Sequence, residues 1–147
     1  MRCVEDTALA ERVRAFNRFY TETIGALDDR HEGLAVTLVQ SRMLYKIATT
    51  DRPQVGQIAR ALRLDVPYAS RVLGVLEDRQ LIRRKLSDTD RRQRIVELTA
   101  AGRRTLGKIE KRSNERVLGL TAQLSEAAMA DLLDAMDTIR HLLTNEE

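Results

Sequence analysis

One run of the chain, from Leu62 to Thr99, constrains the fold more than any other. Its first half spaces Val66, Ala69, Val72, Leu73 and Leu76 three and four residues apart, the period of a helix with one buried face. The opposite face carries Pro67, Tyr68, Ser70, Arg71 and Gly74. Leu81 and Ile82 then open an extended run, and Ser87-Asp88-Thr89-Asp90 has the chemistry of a turn. From Arg94 to Leu98 charged and apolar residues alternate, Ile95 and Val96 aside, as in a half-buried strand. Six cations, Arg83, Arg84, Lys85, Arg91, Arg92 and Arg94, lie on the two arms of this hairpin. A helix beside a basic ribbon has the shape of a winged helix. That shape fits double-stranded DNA, the helix entering the major groove and the ribbon the neighbouring minor groove.

The 147 residues suit one domain with a core of its own. Aromatics are only 3% against 43% hydrophobic residues overall, so the core is expected to be aliphatic and helical. Seven Gly and two Pro are too few for a loop-rich all-β fold. No apolar run approaches a membrane span, and the N-terminus has neither a signal-peptide pattern nor an anchor. The single Cys excludes an intrachain disulfide and agrees with a reducing cytoplasm. The net charge of +3 is unevenly spread: Asp51 to Arg112 holds 16 Lys/Arg against 8 Asp/Glu, and the flanks are net acidic. A basic middle points to a polyanion partner, although charge alone fits a solvated face equally well.

Residues 1 to 7 read as a frayed tail. Leu9, Val13, Phe16, Tyr20, Ile24 and Leu27 then form one stripe, predicting a long first helix that ends near Asp28-Asp29. Phe19 lies off that stripe, as expected of a helix with two partners. Thr37 and Gln40 form a capping-box signature before a second helix through Leu38, Met43, Leu44, Ile47 and Ala48. Asp51-Arg52-Pro53 ends it. A short third helix covers Val55 to Leu62, and Asp65 caps the fourth. Short helix, tight turn and helix make a helix-turn-helix. After the ribbon, Thr99 opens a helix with a seam at Leu106, Ile109, Val117, Leu120 and Leu124. Ser125 opens the last, with Met129, Leu132, Leu133, Met136, Ile139, Leu142 and Leu143 on one face.

The expected fold is therefore mainly α with a small β-wing, in the order α-α-α-α-β-β-α-α. The winged-helix lobe is expected over 36–99, with residues 8–35 and 100–147 supplying dimerisation helices. Two-fold symmetry would set two recognition helices about one DNA turn apart.

Asp90-Arg91-Arg92 followed by Leu98-Thr99-Ala100-Ala101-Gly102 resembles the D-R-R…L-T-x-x-G run of the MarR (multiple antibiotic resistance regulator) family. Ala69 to Leu73 and Leu76 to Ile82 resemble that family's recognition helix and its exit, and the element order is similar over residues 8 to 144. Two positions depart from the pattern. Ser87-Asp88 replaces a common Asp-Pro, which leaves the wing tip less rigid, and Gln80 stands where Gly is usual, so the helix ends without the easy left-handed residue. Val13 to Thr21, with Ile24-Gly25 and Leu27-Asp28, is similar to the start of a subgroup fused to a C-terminal GNAT-type acetyltransferase. Such a domain does not follow before Glu147, so a free-standing relative and the regulatory half of a longer protein are both open readings.

The resemblance implies a cytoplasmic, homodimeric, sequence-specific transcription regulator, a repressor of a pseudo-palindromic operator tuned by a small aromatic or phenolic ligand. Ser70 and Arg71 would contact the major groove, with Pro67 and Tyr68 leading in. Arg92 would enter the minor groove, oriented by Asp90, and Arg83, Arg84, Lys85, Arg91 and Arg94 would neutralise phosphates. The competing reading of Arg71 is a surface ion pair with Glu77 or Asp78. The ligand pocket would be lined by Phe16, Tyr20, Met43 and Tyr45, which are equally readable as core residues. Rival functions are an acetyltransferase regulatory module and a non-specific DNA binder. Cys3 as an oxidant sensor, His31 and His141 as metal ligands, and Asp28-Asp29-Glu32 as a catalytic cluster lack supporting partners in the sequence, so neither cofactor, metal nor enzymatic activity is expected.

Overall fold

A computed structural model describes residues 2–25, 35–87 and 94–144. The element order is α1 (Arg2–Thr23), α2 (Leu38–Thr49), α3 (Val55–Ala61), α4 (Val66–Asp78), β1 (Ile82–Leu86), β2 (Arg94–Leu98), α5 (Ala100–Thr121) and α6 (Glu126–Thr144). This is the expected order. Two ends differ: α1 begins at Arg2, where a frayed tail was expected, and stops at Thr23. Thr23 donates its hydroxyl to the Phe19 carbonyl, and Gly25 follows at φ 67°. The sequence offered no Gly or Pro near residue 7 to break the helix, and glycine's freedom at positive φ supplies the stop at the other end.

The chain divides into two compact units, Met1–Lys111 and Arg112–Glu147. The core of the first is one aliphatic cluster. Val36, Met43, Leu44 and Ile47 come from α2 and its approach, Ile58 and Ala59 from α3, and Ala69, Leu73 and Leu76 from α4. Leu81, Ile82, Val96 and Leu98 join from the ribbon, and Leu106 and Ile109 from α5. The core thus runs past Thr99 into the first turns of α5. Burying a side chain of this size contributes roughly 1.5–3 kcal/mol. Val66, expected on the buried face of α4, is exposed, because it occupies the first turn ahead of Ala69.

Local chemistry fixes each boundary. Thr37 and Gln40 form the reciprocal capping box at the start of α2. Asp65 accepts the Tyr68 N–H at 2.8 Å, with Pro67 in the first turn of α4. Both helices of the helix-turn-helix end in the same motif. Leu64 N–H donates to Ala59 and Arg63 N–H to Arg60, while Leu81 N–H donates to Leu76 and Gln80 N–H to Glu77. This is the six-to-one and five-to-two pattern of a Schellman cap. It puts Arg63 at φ 54° and Gln80 at φ 58°. Gln80 therefore adopts the left-handed conformation without being glycine, at a cost of roughly 1–2 kcal/mol.

β1 and β2 pair antiparallel with Arg83 opposite Glu97, Arg84 opposite Val96 and Lys85 opposite Ile95. A bridge between Gln54 and Ile95 and a bond from Val96 N–H to the Pro53 carbonyl add a short third edge. Arg52, at φ 47°, reaches the Ser87 hydroxyl at 3.3 Å. The ribbon is marginal alone and gains its support from these contacts and the core.

The remaining helices bury little. Along α1 the side chains from Asp6 to Tyr20 are all exposed, and α6 buries none. Val117 and Leu120 of the predicted α5 seam are exposed as well. Ser125 caps α6 through Ala128 N–H at 3.2 Å.

Gly102 explains the spacing of the L-T-x-x-G run. A Cβ there would lie 1.9 Å from the Leu81 carbonyl oxygen, a backbone atom that cannot swing aside. Gly102→Ala is expected to lower stability by about 3 kcal/mol through backbone displacement, read as a fall in the midpoint of urea unfolding. An unchanged midpoint would show that α5 shifts freely.

Candidate nucleic-acid interface

Helix α4 presents Pro67 and Arg71 to solvent, with Tyr68 and Ser70 half-buried. The pattern follows from the core: Ala69, Leu73 and Leu76 point inward, so residues 67, 68, 71 and 75 lie outward. The Arg71 guanidinium carbon lies 5.8 Å from the Tyr68 ring centroid, a cation–π contact at i,i+3. Glu77, one of the two carboxylates expected to compete for Arg71, faces Arg84 instead.

The ribbon's alternation divides its cations. Arg83 and Lys85 project from one face and share Glu97: Arg83 Nε lies 3.1 Å from Oε2, and Lys85 Nζ contacts Oε1. Arg84 points the other way, toward α4. Its Nε lies 3.2 Å from Glu77 Oε2, a charge–charge contact without hydrogen-bond alignment, and its Nη2 donates to the Ser70 carbonyl at 3.3 Å. With a side chain only 19% exposed, Arg84 belongs to the wing's attachment. The expectation of a phosphate contact calls for a side chain in solvent, whereas that of Arg84 is turned toward α4. Arg94 is exposed at the start of β2. Asp90, Arg91 and Arg92, as well as His31 and Asp28-Asp29-Glu32, lie outside the described residues.

The Lys85 hydrogen bond holds the Glu97 carboxyl below its ordinary value of 4.5. Partial desolvation opposes this, and the Arg83 hydrogen bond and the two positive charges add to it. Glu97 thereby partly neutralises Arg83 and Lys85. Sequence reading missed Glu97 because its role depends on strand register, which the turn length sets. It missed Arg52, whose guanidinium donates to the Ser87 hydroxyl at the end of β1.

The four expected pocket residues do not converge. Met43 is wholly buried in the core, while Tyr45, two residues on, is 55% exposed on the other side of α2. Phe16 and Tyr20 stack on each other along α1, centroids 5.8 Å apart, and both are exposed. Helical geometry makes residues 43 and 45 diverge by about 200°. A shallow depression on α1 is lined by Ala8, Glu11, Arg12, Arg14, Ala15 and Arg18 instead. Among the described residues no three His, Cys, Asp or Glu side chains gather as metal ligands. No described helix is long and apolar enough to cross a membrane.

Helix-turn-helix, basic ribbon and long flanking helices define a winged-helix protein. Residues 36–93 match the sequence profile of the MarR family. The matched residues are those of the winged-helix lobe. A Thauera aromatica protein assigned as a transcriptional regulator of the hcr operon is 34% identical over 93 residues, covering 62% of this chain and 55% of that protein. The match thus spans about half of that relative's length. Among solved structures, MepR, a transcription regulator of the S. aureus multidrug efflux pump MepA, is similar at TM-score 0.73 and 25% identity, covering 88% of this chain and 96% of that one. Wild-type MarR from E. coli in its apo form gives 0.74 at 19% identity, covering 86% and 93%. A MepR–DNA complex gives 0.69 at 23%, covering 88% and 94%.

The Glu97 pairing has a pH consequence. Because the folded carboxyl titrates lower than the unfolded one, its contribution to stability is full above about pH 4.5 and is lost as pH falls through the folded value. Comparing melting temperatures of wild type and Glu97→Gln from pH 7 down to 3 should show a gap that closes below about pH 4.5. A gap constant with pH would mean that the carboxylate's charge does not support the ribbon.

Proposed function

We propose that this chain is a sequence-specific, double-stranded-DNA-binding transcription regulator that acts as a homodimer on a pseudo-palindromic operator. The observation that carries the reading is the α4 face of exposed Pro67 and Arg71 with half-buried Tyr68, beside a ribbon bearing Arg83, Lys85 and Arg94. An arginine fork on such a helix can contact guanine bidentately, with roughly 1–3 kcal/mol of discrimination. Arg83, Lys85, Arg91 and Arg94 add salt-dependent affinity for phosphates. Arg92, with Asp90 orienting it, is the minor-groove residue of the reading. The similarity to a MepR–DNA complex supports the same geometry. Selection from random duplexes at near-physiological salt tests it. Enrichment of a two-fold symmetric site supports it, whereas salt-sensitive binding without an enriched sequence favours a non-specific binder. Arg71→Ala should relax base preference, and Arg92→Ala should abolish operator binding without unfolding. Unchanged affinity in the latter removes the wing from the mechanism.

The homodimer is supported by apolar side chains that one copy leaves in water: Leu9, Val13, Phe16 and Phe19 on α1, and Leu133, Met136, Ile139, Leu142 and Leu143 on α6. An apolar stripe left exposed along a helix marks an interaction face. Sedimentation should give twice the mass of one chain, and Leu133→Asp with Leu142→Asp should give monomers of unchanged helix content. A monomeric wild type overturns this part. In this reading the protein works in the cytoplasm as a repressor, and an aromatic or phenolic ligand shifts the population between two spacings of the recognition helices. Of the expected lining residues, Phe16 and Tyr20 are the two already adjacent.

A further inference from the structure

Resting on that reading, we infer that Arg84 and Glu77 form a clasp that sets the angle between wing and recognition helix, making Arg84 a positioning residue for DNA recognition. Arg84 holds two points of α4 that are seven residues apart, the Ser70 carbonyl through Nη2 and the Glu77 carboxylate through Nε. Seven residues are two turns, about 10 Å of helix. One side chain therefore fixes both the distance and the tilt of α4 against β1. The Ser70 end lies next to Arg71, on the turn that faces outward.

The backbone of β1 takes part. The Arg84 N–H donates to Glu77 Oε1 at 3.3 Å, and its cross-strand partner Val96 donates to the Pro53 carbonyl at 2.9 Å. Both amides of this pair thus point out of the ribbon, as in a non-hydrogen-bonded antiparallel pair, and each is satisfied by a neighbouring element. The β2 edge is anchored to the α2–α3 connection, and the β1 edge is anchored to α4 by Glu77. A reader that touches two grooves gains from its second contact only when the spacing is already set. Arg84 supplies that preorganisation, and it comes from a cation that composition alone would assign to phosphates.

The test uses the full chain, the duplex that the wild type enriches from a random library, and a scrambled duplex of the same length. A phosphate contact and a clasp differ in sign and in salt dependence. If Arg84 were a phosphate contact, Arg84→Ala would weaken both duplexes alike and reduce the salt slope by about 0.9. Glu77→Ala, which removes a negative charge, would tighten both. For the clasp, Arg84→Ala and Glu77→Ala each lose about tenfold on the selected duplex and little on the scrambled one, with the salt slope kept. The double variant is no worse than either single. Circular dichroism and melting establish that each variant is folded; should Arg84→Ala not fold, Glu77→Ala decides by its sign. Tighter binding by Glu77→Ala, or additive losses, overturns the clasp alone. A wild type that enriches no sequence overturns the regulator reading and the clasp with it.

Discussion

The backbone at Gln80 and Leu81 is the joint on which the winged-helix lobe depends. Leu81 N–H closes the end of α4 on Leu76, and its carbonyl accepts the Thr99 N–H at 3.1 Å. The Thr99 hydroxyl donates to the Gln80 carbonyl at 2.6 Å and accepts the Gly102 N–H at 3.0 Å. Thus the end of α4, the start of β1 and the start of α5 share one small set of polar groups. Gly102 must lack a Cβ so that α5 can come this close to the Leu81 carbonyl. Leu76 and Leu81 are both buried beside the joint and shield its hydrogen bonds from water.

From this joint the ribbon leaves at a defined angle, and two further attachments keep it there. Pro53 and Gln54 extend the sheet at the β2 edge, and Arg84 with Glu77 ties the β1 edge to α4. The cations of β1 consequently divide into two kinds. Arg83 and Lys85 face outward over a shared carboxylate, while Arg84 faces inward. Exposed pairs of the first kind contribute little to stability, median about 0–1 kcal/mol, so their value lies in the charge they present. Arg84 is the opposite case, a charge withdrawn from solvent and spent on geometry.

A different constraint governs the flanking helices. A helix with an apolar stripe is stable in water only if that stripe is covered. The stripes of α1 and α6 remain largely exposed in a single chain, whereas the stripes of α2 and α4 are buried within the lobe. In the proposed homodimer, association would cover these stripes, and stability would then depend on protein concentration.

The sequence by itself determined the number, type and order of the elements, because each carries its own punctuation. The Thr37–Gln40 box, the Asp65 cap, the Pro53 stop and the alternation of β2 are local chemistry, readable within a few residues. The outward face of α4 was legible for the same reason, since Ala69, Leu73 and Leu76 dictate by period which residues remain outside. The tertiary structure alone decided the partners of charge. Arg84 was indistinguishable in sequence from Arg83 and Lys85 until strand parity and the closeness of α4 turned it inward. Glu97 became the partner of two cations only once register set it opposite Arg83. Met43 and Tyr45, two residues apart, were separated into core and surface by the rotation of one helix. Caps and periods act over one or two turns, but ion pairs and packing join residues far apart in the chain, and only the folded backbone brings those together.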